Sequence, residues 1–387
     1  MDILFTNARA VLPNGEAKLC DVAVADGRFA EIGTQLVSAS DMLVIDCHGQ
    51  WLAPGLFDIQ VNGGGGVLFN DEPTPEGLRA ICDAHAKLGT RWLLPTLISD
   101  HLDVVDAGMR AVEQSILAGN DRILGIHIEG PFLNPERSGI HDPARMGVLD
   151  GRAIALLSSL KVGKTLVTLA PEQTTLEAIR KLVANGVTVS LGHSNATYQQ
   201  AADALHAGAS GFTHLFNAMS PLQTREPGLV GAALENQTGW SSIILDGHHV
   251  SPVTLDIALK SRPIDRFILI TDAMSPAGTD LETFVLQGRE ISVMDGTCRD
   301  ENGTLAGAYL SLPEAISNAV SNHDIAPEAA IRMASQFPAA FLFEDHALPR
   351  IEVNAPANGV LLSTDFKALG ELRNGHWVSF DGFMGPA

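Results

Sequence analysis

The most constraining feature of this 387-residue chain is an alternation that repeats through its middle. Short apolar runs, too brief for ordinary helices, are each followed by a longer stretch with helical spacing. The runs are Trp51–Val61, Trp92–Ile98, Ile123–Ile128, Leu166–Leu169, Val187–Leu191, Phe212–Phe216, Ser242–Leu245 and Phe267–Ile270. Eight strand–helix repeats imply a parallel sheet whose crossover helices cover it. Closure of that sheet gives a (β/α)8 barrel, with an open doubly wound sheet as the competing arrangement. The intervening text has helix punctuation. Thr174 and Glu177 stand at capping-box spacing ahead of the apolar face Leu176, Ile179, Leu182 and Val183, and Gly186 ends that segment. Ser251-Pro252 and Pro327-Glu328 open two further helices.

Both ends of the chain read differently. Ile3–Phe5, Ala10–Leu12, Asp21–Val24 and Phe29–Ile32 are strand-like, and Pro13-Asn14-Gly15 and Asp26-Gly27 supply turns. Gly359–Ser363 and His376–Phe380 repeat that character around Asn374-Gly375. The expected organisation is a small β-sandwich from 1–51 and 348–387, flanking a barrel over 52–347. Turn-rich text at 283–307 reads as a β-hairpin inserted after the eighth strand.

Barrel enzymes carry their chemistry at the carboxyl ends of the strands. Six of the eight runs end in, or soon meet, a titratable or metal-capable residue: Gln60 and Asn62, Glu129, His193, His214, then Asp246, His248 and His249, and finally Asp272. Glu129, His193 and His214 make an open His2Glu set of the kind that holds catalytic zinc with room for water. The competing reading is hydrogen-bonded core histidines and a buried ion pair. Asp272, alone at a strand end, suits proton transfer from an activated water to a leaving group; a helix cap or salt bridge is its other reading. His127, two residues before Glu129 on the same face, reads as a satisfied core histidine, with support of the site as the alternative.

Other motifs are weaker. Gly63–Gly66 follows the first run and could cradle an anion or make a sharp turn, but Leu68 breaks the dinucleotide-binding pattern. Gly163-Lys164-Thr165 resembles the end of a phosphate-binding loop, yet Ser158 stands where its first glycine belongs. Gly192-His193-Ser194-Asn195-Ala196 looks like a nucleophile elbow ending in Ala and keeps a serine hydrolase using Ser194 in play.

Charge narrows the partners. Lys+Arg number 25 against 45 Asp+Glu, a formal net charge of −20 with no basic cluster. That argues against nucleic acid and anionic membrane. Four scattered cysteines without a CxxC pair fit reduced thiols, and the first residues lack a signal-peptide layout. A cytoplasmic protein is expected.

Seven segments then carry a resemblance: PGLFDIQVNGGGG (Pro54–Gly66), GIHIEGPFLNPERSGIHDP (Gly125–Pro143), LGHSNA (Leu191–Ala196), THLFNAMSPLQTREPG (Thr213–Gly228), LDGHHV (Leu245–Val250), LITDAM (Leu269–Met274) and TLAGAYL (Thr304–Leu310). In this order and over most of the chain, they resemble the amidohydrolase superfamily, and within it the deacetylases of N-acetylated amino-sugar phosphates. Where most amidohydrolases carry His-x-His, this chain has Gln60-Val61-Asn62. An amide oxygen is a poorer zinc ligand than imidazole. The resemblance therefore implies one divalent ion per chain, zinc with iron as the alternative, on Glu129, His193 and His214.

The implied reaction is hydrolysis of the acetamide of N-acetyl-D-glucosamine 6-phosphate to D-glucosamine 6-phosphate and acetate, in amino-sugar catabolism. The galacto epimer or another N-acyl sugar phosphate is the alternative substrate. By the same resemblance, Asp272 is the proton shuttle and His141 helps polarise the carbonyl. Ile140, Asp246 and His249 contact the sugar, with His248 the less favoured of the adjacent pair. Asn217, Ala218 and Arg225 meet the phosphate, and Leu305, Ala306 and Gly307 form a backbone wall. Arg225 also suits bidentate phosphate binding on its own chemistry. A homodimer is implied too.

Overall fold

The computed structural model describes residues 2–343 and 349–380; residue 348, the expected start of the second terminal stretch, and the last seven residues lie outside them. One sheet of eight parallel strands runs in chain order: Leu56–Val61, Thr90–Ile98, Gly125–Glu129, Lys164–Leu169, Thr188–Leu191, Gly211–Phe212, Trp240–Ile243 and Phe267–Leu269. Every expected run contributes a strand. Closure comes just past the last strand, where Val61 bridges Ala273 in parallel, Asp272 N donates to Gln60 O at 3.0 Å and Asn62 N donates to Ala273 O at 2.9 Å. The sheet is therefore a barrel, and the open arrangement is excluded.

The strands differ in length from the apolar runs. Trp51–Val61 divides in two, because Trp51–Pro54 pairs with Gly359–Leu362 in another sheet and only Leu56–Val61 joins the barrel. The sixth strand keeps only Gly211–Phe212, so His214 lies beyond its end rather than within it. Helix Leu176–Ala184 is capped by Thr175, whose side chain accepts from Ala178 N. Thr174 instead ends the preceding 3-10 turn, so the cap falls one residue later than expected and, with Ala178 at the third helical position, the expected Thr174/Glu177 capping box does not form. True capping boxes form at Thr197/Gln200 and Ser311/Glu314.

Tight contacts divide the chain into two compact units, 1–58 with 85–92 and 311–387, and 59–84 with 93–310. In the first, strands from both ends of the chain share one eight-stranded sheet. Ile3–Val11 is a single strand across both expected runs. A register shift between Phe5 and Ala8 lets its first half pair with Leu43–Asp46 and its second with Trp51–Pro54. The sheet encloses an apolar core that includes Phe5, Val22, Phe29, Leu52, Leu361 and Leu372.

In the second unit, the 283–307 insertion is larger than a hairpin. It is a four-stranded antiparallel meander of Thr283–Leu286, Arg289–Met294, Thr297–Arg299 and Leu305–Ala308. Its apolar side, with Leu286, Ile291, Cys298 and Ala306, packs with Ile98, Ile140 and Met274. Gly63–Gly66 makes a tight turn between Gly63–Gly64 and Val67–Leu68, with Gly65 and Gly66 at positive φ. A Cβ on Gly63 would lie 2.4 Å from the Val67 carbonyl oxygen, so close backbone approach accounts for the glycine. No helix among the described residues is long and apolar enough to cross a membrane.

Candidate active site and metal centre

The strand ends converge on a pocket of about 190 Å3. Glu129 ends the third strand, while His193, His214 and Asp272 follow the fifth, sixth and eighth. These last three are non-glycine residues in the left-handed region, with φ of 48°, 35° and 51°. Such backbone costs about 1–3 kcal/mol per residue. Here each such residue follows closely on a strand end, and all three side chains line the pocket.

Glu129 Oε1 lies 2.8 Å from His214 Nε2 and 3.2 Å from His193 Nε2, and the two imidazole nitrogens are 3.0 Å apart. All three side chains are buried. The Nδ1 of His193 lies 2.8 Å from the Arg137 carbonyl oxygen, which can only accept. Nδ1 therefore donates to that carbonyl, which leaves Nε2 as the nitrogen that faces the cluster. Burial opposes ionisation of Glu129, but its hydrogen bonds to His193 and His214 outweigh that and hold its carboxyl well below the usual range. Burial likewise opposes the charge on His214, and Glu129 outweighs it to raise the imidazole's pKa. The centre thus draws in positive charge through three converging donors, which fits a small divalent cation.

Asp272 faces this set. Its Oδ1 accepts from Asn62 Nδ2 at 2.7 Å and from Gln60 Nε2 at 3.1 Å. Two amides thus occupy the positions where histidines were absent, and they orient the carboxylate. Burial, then the Glu129 charge, pushes the Asp272 pKa up to about 6 against the pull of His214, His249 and Asn62. Such a value suits a group that takes a proton and returns it.

His141 is buried, with Nε2 3.9 Å from Glu129 Oε2. Ser99 N donates to its Nδ1 at 3.2 Å, and burial lowers the imidazole's pKa to about 3. The ring is therefore neutral with its proton on Nε2, a donor aimed at the cluster. His249 joins the pocket lining, and its Nδ1 is 2.6 Å from Asp246 Oδ2. Asp246 Oδ1 also accepts from the backbone of His248 and His249. Burial opposes the Asp246 charge, but His249 and these amides hold its pKa below the usual value. Asp246 thus acts on His249 and does not itself line the pocket.

The remaining expectations divide. Ile140, Asn217, Ala218, Leu305 and Gly307 line the pocket with Asn62, Glu129, His141, His193, His214 and Asp272. Ala306 points away into the meander core. Arg225 is exposed on the segment after Ala218 and does not line the pocket. Ser194 is buried, donates its hydroxyl to Glu172 Oε2 at 2.7 Å and accepts from Ala196 N at 2.9 Å. Glu172 also receives Asn134 Nδ2 and Asn195 N. The Ser194 oxygen is committed to holding a loop, and its proton is spent on a carboxylate, so the elbow is not a nucleophile.

Sequence reasoning overlooked four supports. Ser99 and Glu172 both follow strand ends, so the positional argument could have reached them. Gln287 donates to the Ser99 carbonyl oxygen at 2.8 Å, and Arg289 bonds the Ile140 carbonyl. Both come from the meander, and nothing in the sequence marks their targets.

A barrel whose strand ends gather two histidines and a glutamate opposite an aspartate defines a metal-dependent hydrolase, and the chain belongs to the amidohydrolase family, whose model matches residues 51–381. Among its relatives, it is 38% identical to the N-acetylgalactosamine-6-phosphate deacetylase of Shewanella sp. strain ANA-3, over 95% of this chain and 94% of that protein. It is 35% identical to the N-acetylglucosamine-6-phosphate deacetylase of Haemophilus influenzae, over 86% of this chain and 88% of the relative. The crystal structure of N-acetylglucosamine-6-phosphate deacetylase from Pasteurella multocida superposes with a TM-score of 0.93 at 34% identity, covering 98% of this chain and all of that one.

Proposed function

We propose that this chain hydrolyses the acetamide of N-acetyl-D-glucosamine 6-phosphate, giving D-glucosamine 6-phosphate and acetate in amino-sugar catabolism. The observation that carries the reading is the convergence of Glu129, His193 and His214 opposite Asp272 and His141 in one pocket. One divalent ion held by Glu129 Oε1, His193 Nε2 and His214 Nε2 would supply Lewis acidity toward the acetamide oxygen and toward water. The two-nitrogen, one-oxygen donor set suits zinc, with iron as the alternative.

The chain's own residues do the rest. His141 Nε2–H donates to the acetamide oxygen as negative charge develops there. Asp272, held at Oδ1 by two amides, takes the proton released as water adds to the carbonyl carbon. It then delivers that proton to the sugar nitrogen as the C–N bond breaks. His249, braced by Asp246, orients the sugar with Ile140, and Leu305 and Gly307 wall the pocket. Asn217 and Ala218 meet the phosphate, with Arg225 supplying a guanidinium from the exposed segment beyond them.

The likeness to the Shewanella relative favours a second reading, in which the substrate is the galacto epimer. Inversion of one hydroxyl separates the two. Four buried cysteine side chains support a reducing, cytoplasmic setting.

The test is acetate release from both epimers, and from their unphosphorylated sugars, alongside metal content per chain. Acetate from the gluco substrate with one tightly bound ion is expected. Faster release from the galacto epimer selects the second reading. No release from any substrate by the zinc-loaded protein, or two tightly bound ions, overturns the proposal.

A further inference from the structure

Beneath the site lies a run of buried polar side chains that the reaction does not use. His127 Nε2 is 2.8 Å from Thr168 Oγ1, Thr168 Oγ1 is 2.7 Å from Thr213 Oγ1, and Thr213 Oγ1 is 2.7 Å from Ser190 Oγ. All four residues are buried. They come from the third, fourth, sixth and fifth strands or their ends, and each hydroxyl has only one proton to give.

The direction of the chain follows from its far end. Thr96 Oγ1 donates to the Leu94 carbonyl oxygen at 3.2 Å, so toward His127 Nδ1, 3.4 Å away, it can only accept. The proton of a neutral His127 therefore sits on Nδ1, and Nε2 must accept. Thr168 then donates to His127, Thr213 donates to Thr168, and Ser190 donates to Thr213. Every hydroxyl donates once, with no surplus proton and no clash of lone pairs.

The positions matter as much as the bonds. His127 precedes Glu129 by two residues, Thr213 immediately precedes His214, and Ser190 precedes His193 by three. Each strand that supplies a ligand thus also supplies a link, and Thr168, paired in register with Glu129 on one side and Ser190 on the other, joins them. We propose that His127, Thr168, Thr213 and Ser190 form a one-directional hydrogen-bond chain that positions Glu129, His193 and His214 relative to one another, so that affinity for the divalent ion depends on it. These are positioning residues, and the inference rests on the ligand set proposed above.

Thr168→Val keeps the shape but leaves His127 Nε2 without its donor and the Thr213 hydroxyl proton without its acceptor. Zinc affinity is read by competition with a chelator on folded protein, with the melting temperature of the metal-free protein measured in parallel. Loss of a group that supports metal ligands weakens binding roughly 10–100-fold, and a loss in that range is expected for Thr168→Val. Thr168→Ser, which restores the hydroxyl, should bind within about threefold of the wild type, well short of that range. Val189→Ala, a cavity in the same sheet away from the chain, should lower the melting temperature and leave zinc affinity alone. If Thr168→Val does not fold, Ser190→Ala, which removes only the terminal donor, takes its place and should weaken binding in the same sense.

Wild-type affinity in folded Thr168→Val or Ser190→Ala overturns the inference. So does equal weakening by Val189→Ala, or nitrogen NMR showing the His127 proton on Nε2. Failure of the wild-type protein to bind zinc at all would instead overturn the ligand set.

Discussion

Asn62 Nδ2 donates to Asp272 Oδ1 at 2.7 Å across the closure of the barrel, where Gln60 reaches the same oxygen at 3.1 Å. Under the proposed mechanism the oxygen that remains, Oδ2, would exchange the proton. The amides standing where a deeper metal's histidines would be thus act as a holder for the carboxylate. Asp272→Asn should lower turnover by roughly 100–10,000-fold, the usual range for a general acid–base group. It should leave one zinc per chain, as measured by metal analysis. Near-normal turnover would remove Asp272 from proton transfer.

The pH profile follows from the same contact. Asp272 must be ionised to accept a proton, and burial with the Glu129 charge raises its pKa to about 6. A divalent cation nearby favours the ionised form, so the acid limb of kcat/KM should fall at or below about pH 6. Asn62 lowers this pKa, so Asn62→Ala should move the limb to higher pH. A limb that stays in place, or moves down, would separate Asn62 from the shuttle.

Arg225 gives a specificity test. It is exposed and does not line the pocket, yet it suits a phosphate. Arg225→Ala should raise KM for the phosphorylated sugar much more than for its unphosphorylated counterpart, with kcat little changed. Equal effects on the two substrates would take it out of the phosphate site.

Ser194 offers the converse. Its hydroxyl holds Glu172, so Ser194→Ala should cost stability of about 1–3 kcal/mol through the partner left short of a hydrogen bond. Activity should persist, and serine-directed acylating reagents should not inactivate the wild type. Inactivation by such a reagent, with modification mapped to Ser194, would restore the nucleophile reading.

How much was legible in advance depended on which physical signal carried it. The barrel was legible because eight buried parallel strands need apolar runs, and those runs survive in one dimension. The candidate ligands Glu129, His193 and His214, with Asp272 beside them, were legible because the fold places strand ends on one face, where these residues stand out by position. Boundaries were less clear. Trp51–Val61 reads as one run because both sheets bury their strands, and only pairing shows that Gly55 separates them. The capping residue moved from Thr174 to Thr175 because neighbouring threonines offer the same hydroxyl.

The sequence by itself determined the architecture, the metal-capable residues and the family, since these depend on hydrophobic pattern and residue type. Tertiary structure alone decided which oxygen of Asp272 is held, which nitrogen of His141 carries the proton, and that Asp246 serves His249. It also set Arg225 outside the pocket and turned Ala306 away from it. These are properties of hydrogen-bond direction and side-chain placement between segments as far apart as Asn62 and Asp272. No local pattern encodes the hold of Asn62 and Gln60 on Asp272, because it depends on where the barrel closes.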